Sequence, residues 1–341
     1  MARIGKAPLR VLVALALVLV AVPALFAGWV QWSLNQPLQL TDEPVILEVP
    51  RGTSLDRLAG SWVERGWLSD PGALVIRIYG RITGEASRLQ AGEYSVAPGT
   101  TPRALLRQLV SGQVIQYRFT IVEGWTFRRV MGELGRHPAV EQTLLGLSDE
   151  EIMAALGYEG QHPEGRFYPS TYQFPRGTSD RLILQRAYRK MERRLEEIWA
   201  ERVPGLPLKN AYEALILASI IERETGAPEE RRRIAGVFVR RLELGMRLQT
   251  DPTVIYGLEE ELEDRLRTRH LRRDTPYNTY TRHGLTPTPI AMPGSAAIRA
   301  AVDPEPGEVL FFVSRGDGTH HFSVTLDEHN RAVRRYILGQ E

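Results

Sequence analysis

Residues 211–226 read AYEALILASIIERETG, with Asn210 standing before them. An Asn at that place can cap a helix that runs from Ala211 to Thr225 and stops at Gly226. From Ala214 to Ile221 every residue but Ser219 is apolar. A helix with no polar face belongs inside a core. Its last turn then carries carboxylates out of apolar surroundings. Glu222 follows Leu215 by seven residues and Ala218 by four, so it shares their side, with Ser219 as its nearest polar neighbour. A carboxyl held against apolar neighbours loses hydration, and its pKa rises toward the range where it donates a proton near neutral pH. Glu224 falls on another side, with Glu213 and Leu217. The alternative is that both glutamates pair with Arg223 and the run Arg231–Arg233 at a helix end.

Downstream, RLQTDPTVIYG (247–257) places polar side chains in a short turn between two helical stretches. TPYNTY (275–280) and GLTPTPI (284–290) read as irregular structure leading into Ala291-Met292-Pro293-Gly294. Tyr, Asn, Gln and Thr side chains held in irregular structure suit a neutral, hydroxyl-rich ligand. His320, His321 and His329 lie near Asp327 and Glu328, but their spacing matches no standard metal signature. A strand over 321–324 and a helix from about Asp327 is the expectation, with no metal and no cofactor. His321 or Asn330 near the groove can still help to position substrate.

Upstream, a charged helix is expected from Ser179 to about Val203, its charges a solvated face. Residues 163–172 are too aromatic and too rich in Pro and Gly for a regular element. Residues 126–156 read as helical and amphipathic. Before them lies a small α+β region, with strands over 45–49, 89–96 and 116–121 and helices over 54–63, 71–79 and 101–110. The segment 11–30, VLVALALVLVAVPALFAGWV, holds no charge over its twenty residues, and such a helix spans about 30 Å, the thickness of a bilayer core. Arg3, Lys6 and Arg10 precede it and the next charge is Asp42, which puts the N-terminus in the cytoplasm and the rest outside. Trp29 and Trp32 fall where interfacial anchors belong. The rival is a cleaved signal peptide with a site near Val22-Pro23-Ala24.

Across 341 residues, 43 Lys and Arg stand against 41 Asp and Glu, a net charge of +2 that argues against a nucleic-acid binder. The absence of cysteine excludes disulfide scaffolds, thiol catalysis and Cys-ligated metal.

Five blocks carry a family resemblance: IIERETG, RLQTDPTVIYG, TPYNTYTRHGL, IAMPGSAAIRAA and HHFSVTLDEHN. In this order they closely resemble the endolytic murein transglycosylases, the YceG-like family. The resemblance covers nearly everything after the apolar segment. It implies an α+β fold with a cytoplasmic N-terminus (1–10), a transmembrane helix (11–30), a connector (31–44), a LysM-like module (45–115) and a catalytic domain (116–341). It implies Glu222 as the catalytic glutamate, and Ser219, Gln249, Tyr277, Asn278 and Tyr280 as groups that hold acetamido and hydroxyl substituents. For each of these, loop scaffolding is the competing role, and Asp251 is expected to cap the following helix. The activity implied is a membrane-anchored lytic transglycosylase of the inner membrane. It cleaves the β-1,4 bond between N-acetylmuramic acid and N-acetylglucosamine in nascent peptidoglycan and leaves a 1,6-anhydro end. Glycan strands are the implied substrate and penicillin-binding synthases the implied partners. Two other classes stay open: a non-catalytic peptidoglycan-binding scaffold, and a hydrolytic muramidase that needs a second carboxylate about 5–9.5 Å from the first.

Overall fold

A computed structural model describes residues 6–258 and 266–340. Among these the chain is a mixed α+β protein that divides into two compact units, the first ending at Tyr117 and the second beginning at Arg118. Arg3, one of the basic residues on which the expected orientation rests, lies outside the described residues.

The first unit opens with α1 (Lys6–Asn35), the one helix among the described residues long and apolar enough to cross a membrane, over Leu12–Asn35. It runs through Pro23 without a break, and its apolar run is exposed, Trp29 and Trp32 included. Only at Leu34 does it enter a core. After it come β1 (Val45–Val49), α2 (Leu55–Glu64), α3 (Asp70–Ile82), β2 (Gly92–Val96) and α4 (Pro102–Ser111). β1 and β2 are antiparallel, with Val45 opposite Val96 and Val49 opposite Gly92. Alternation along both strands turns Leu47, Val49, Tyr94 and Val96 inward, where they meet Trp62, Ile76 and Leu105. All three helices after α1 start on hydroxyl caps. Ser54 accepts from the N–H of Arg57, Ser69 from Gly72 and Thr101 from Ala104. Gly112 closes α4 at φ 68°, a left-handed conformation that costs glycine nothing.

β3 (Tyr117–Ile121) leads into the second unit, which continues with α5 (Phe127–Gly135), β4 (Val140–Glu141), α6 (Asp149–Leu156), β5 (Ser170–Phe174), β6 (Thr178–Ser179) and α7 (Asp180–Ala200). Then come α8 (Ala211–Glu224), α9 (Arg231–Glu243), α10 (Asp251–Gly257), α11 (Thr268–Arg272), α12 (Ser295–Val302), β7 (Phe311–Ser314), β8 (His320–Ser323) and α13 (Leu326–Tyr336). Strands pair only two by two here: β3 with β5, β4 parallel to β6, and β7 antiparallel to β8. The single helix expected over 126–156 is two helices with β4 between them. Pro138 cannot continue α5, and Ser148 opens α6 in a reciprocal capping box with Glu151. The stretch read as irregular up to Tyr172 turns into β5 at Ser170.

Helix α8 is the centre of this unit. Asn210 caps it by accepting from the N–H of Glu213, as its sequence predicts. Ala214, Leu215, Leu217, Ala218, Ile220 and Ile221 are 0% exposed. They pack on Met191, Leu195 and Ile198 of α7, Ile234 and Phe238 of α9, and Ala297, Ile298 and Ala301 of α12. Burying one such large side chain contributes roughly 1.5–3 kcal/mol. The helix ends at Thr225 in extended backbone (φ −138°), one residue before the expected glycine stop, and the Thr225 hydroxyl accepts from the N–H of Ala227.

Candidate active site

The last turn of α8 sends two carboxylates in different directions, because residues two apart on a helix point about 200° apart. Glu222 reaches toward the start of α12. Its Oε2 accepts from the N–H of Gly294 at 2.9 Å, and its Oε1 lies 3.4 Å from Arg231 Nη2. The side chain is 6% exposed, and burial raises its pKa. The Gly294 N–H and Arg231 pull it back down, and the nearby Glu123 carboxylate pushes it up. Every oxygen of Glu222 therefore has a protein partner.

Glu224 meets a different environment. Thr250 donates its hydroxyl to Glu224 Oε2. Together with Gln249, Asp251, Tyr280, Arg241, His320 and Asn330, Glu224 lines a cleft of ≈ 530 Å³ edged by Phe311 and Phe312. Burial is the main cause that raises the Glu224 pKa. Asp251 adds to the rise, while the Thr250 hydroxyl, His320 and Arg241 oppose it. The outcome is a carboxyl whose protonated form persists to higher pH, set beside polar groups in a concave site.

The cleft is assembled from distant segments. Gln249 sits at φ 53°, the only non-glycine residue with positive φ among the described residues. That conformation costs roughly 1–2 kcal/mol for a residue with a side chain, and such strain gathers at functional sites. It is held by the Gln249 N–H donating to Thr279 O at 3.1 Å and the Thr250 N–H donating to Thr279 Oγ1 at 3.1 Å. Beneath these bonds, Thr253 Oγ1 donates to Thr250 O at 2.7 Å. Tyr280 Oη donates to Asp251 Oδ1 at 2.6 Å, and burial is the main cause that pushes the phenol's pKa up. Arg241, 6% exposed, donates from Nε to Leu310 O and from Nη1 to Leu248 O, which ties α9 to the residue before β7 and to the turn before Gln249.

Of the residues expected to bind substrate, Gln249 and Tyr280 stand in this cleft with Glu224. The other three are engaged in packing. Ser219 is 0% exposed, donates to Ile216 O and accepts from the N–H of Ile290, strapping the 284–290 loop to α8. Asn278, also 0% exposed, donates to Leu271 O and Arg273 O and accepts from the N–H of Tyr280, so it shapes the turn that presents Tyr280. Tyr277 shares a hydrogen bond with Thr288 and packs edge-on against Tyr256. Asp251 is the second residue after Gln249 and faces the cleft; the cap position of α10 is Thr250, which makes no side-chain cap. Arg241 was not singled out from sequence, and Glu224 and His320 were named there without a place in the site. Among the described residues, no group of three or more His, Cys, Asp or Glu side chains converges as a metal site would.

Comparison with known proteins agrees with the five sequence blocks. The model of the YceG-like family matches residues 47–335. A protein of Bacillus subtilis (strain 168) named endolytic murein transglycosylase is 29% identical over 326 residues, covering 90% of this chain and 89% of its own. Another protein of that name from Streptococcus pneumoniae is 23% identical over 86% of this chain, which spans 58% of its length. The crystal structure of a yceG-like protein from Listeria monocytogenes superposes with a TM-score of 0.54 at 28% identity, covering 86% of this chain and all of that one.

Proposed function

This chain belongs to the YceG-like family, and from that premise we propose that it is a peptidoglycan lytic transglycosylase whose acid and base is Glu224. The observation that carries the assignment is the enclosed carboxyl of Glu224 in a cleft lined by neutral polar groups and aromatic edges. The names of its relatives in Bacillus subtilis and Streptococcus pneumoniae supply the substrate class. Protonated Glu224 gives its proton to the oxygen bridging N-acetylmuramic acid to N-acetylglucosamine, and the bond from that oxygen to C1 breaks. The C6 hydroxyl of the same muramic residue then attacks C1. Its proton passes to the Glu224 carboxylate, which is thereby restored. One glutamate serves both halves, no water is consumed, and a 1,6-anhydro end is the product. Gln249 and Tyr280 are placed to meet acetamido and hydroxyl groups.

The location proposed is the outer face of the inner membrane, with α1 as anchor and the N-terminus in the cytoplasm. The unbroken apolar helix through Pro23 supports this reading. A mature chain starting at Leu25 would replace the anchor with a cleaved leader. For residues 45–115 we propose a LysM-like module that holds glycan.

Two rival readings have an observation behind them. Asp251 stands in the same cleft as Glu224, which favours hydrolysis by a carboxylate pair. Against it, the Tyr280 hydroxyl already occupies Asp251 Oδ1. Glu222 also has a raised pKa, which favours it as the acid. Mass spectra of products from purified glycan strands test all three. Anhydro ends, one water lighter than reducing ends, released by the wild type and absent with Glu224→Gln, are the expected result. Reducing ends would establish hydrolysis, and anhydro ends persisting with Glu224→Gln would move the acid to Glu222.

A further inference from the structure

On the second side of the cleft lies an imidazole with a carboxylate behind it. The His320 backbone N–H donates to Glu230 Oε1 at 2.8 Å, and its ring Nδ1 lies 2.7 Å from Glu230 Oε2. Both side chains are nearly closed off, at 11% and 12% exposure. The edge of the ring is fixed further by Phe312, 5.3 Å away in a T-shaped contact. With Nδ1 taken up by Glu230, Nε2 is the nitrogen free to serve the cleft that His320 shares with Glu224. A histidine clamped at backbone and ring by one carboxylate is oriented before any ligand arrives.

The reaction creates a need for such a group. Once Glu224 has given up its proton it is an anion in a largely desolvated site, with the Asp251 carboxylate nearby. A buried anion without an opposite charge is costly. The charged and titratable groups that share the cleft with Glu224 are Asp251 from the start of α10, Tyr280 from the loop after α11, Arg241 from α9, His320 from β8 and His329 from α13. Arg241 has its Nε and Nη1 committed to backbone carbonyls. Tyr280 donates to Asp251. Arg241 is a fixed cation in this wall, whereas His320 is held at backbone and ring by Glu230, so its orientation is set independently of the cleft wall.

We infer that His320, held by Glu230, is a positioning residue for Glu224: its positive charge stabilises the carboxylate left after the first proton transfer, until that carboxylate takes the C6 proton. The inference rests on Glu224 being the acid. The sign follows from linkage. A nearby cation lowers the pKa of a carboxyl, so its loss raises that of Glu224. A general acid works only while protonated, and its rate falls as pH rises through its pKa.

The test uses the full-length chain in detergent with purified glycan strands, and follows anhydro-end release against pH for the wild type, His320→Gln, Glu230→Gln and Glu224→Gln. With His320→Gln, kcat should fall on the order of tenfold, and the alkaline limb should move to higher pH by roughly one pH unit. KM should change little. Glu230→Gln keeps an acceptor for the His320 backbone N–H but loosens the ring, and should move the limb the same way by less. It also serves if His320→Gln lowers the melting temperature. Limbs that coincide with the wild type in both variants, or that move to lower pH, overturn the inference while an inactive Glu224→Gln leaves the assignment of the acid standing. An active Glu224→Gln protein would overturn that assignment first, and this inference with it.

Discussion

The two sides of the end of α8 make an instructive pair. Two residues of the same type, two positions apart, both have raised pKa values, and in both burial is the leading cause. What surrounds them differs. The oxygens of Glu222 are taken by a helix-start N–H and an arginine, which makes it a link between α8, α9 and α12. Glu224 keeps company with a threonine hydroxyl, a second carboxylate, a tyrosine, a strained glutamine and a histidine around an open volume. A shifted pKa therefore marks both sides, and the feature that points to Glu224 as the candidate acid is the cleft that it lines.

The largest expected effect bears on that contrast directly. Glu224→Gln should lower anhydro-end release by about 10²–10⁴-fold, the usual share of general acid–base work. Glu222→Gln should keep most activity and instead lower the melting temperature, since an amide replaces the charge facing Arg231. The reverse outcome would exchange the roles of the two sides.

A second prediction concerns stability against pH. The folded-state pKa of Glu224 lies above its ordinary value of 4.5, so the folded protein holds this proton after the unfolded chain has released it. Stability from this group is then full below pH 4.5 and is lost as pH rises toward the folded-state pKa. Glu224→Gln should remove that loss, melting higher than the wild type near neutral pH and no higher in acid. Equal melting differences at both pH values would show that the carboxyl is not desolvated as its surroundings indicate.

Two smaller effects sharpen the comparison. Ser219→Ala leaves the N–H of Ile290 without its acceptor inside the core, a loss of about 1–3 kcal/mol visible in chemical denaturation, with the same reaction products. Gln249→Gly relieves the left-handed backbone, so stability should hold or rise by up to about 1 kcal/mol while turnover falls. If turnover stayed at the wild-type level, Gln249 would be part of the turn rather than of the site.

Helix α8 was legible because its signals are local: a capping Asn210, then a run with no polar face. The same holds for the helix starts expected at Ser54, Thr101 and Ser179, where the structure shows each side chain meeting an N–H only three residues on. The pair of helices over 126–156 was less visible, because apolar residues recur through the segment 136–148 that separates them. In the site, Gln249 and Tyr280 could be picked out as polar residues in irregular structure. Asn278 and Ser219 share that chemistry but are used inside the unit, since a buried backbone donor or acceptor must find a partner and these side chains supply it.

The sequence by itself determined that a helix apolar from Ala214 to Ile221 except at Ser219, ending in two glutamates, forms the centre of a domain, and that an uncharged segment of membrane-spanning length stands near the N-terminus. Which glutamate faces a cleft was decided only by tertiary structure. Periodicity reports which residues leave water, but not what covers them. Near the end of α8 both sides are covered. Glu222 meets Gly294 and Arg231, whereas Glu224 meets Thr250, Tyr280 and His320 across an open cleft. Those partners lie 9 to 96 residues away in the chain, and no local pattern around 222–224 encodes their arrival.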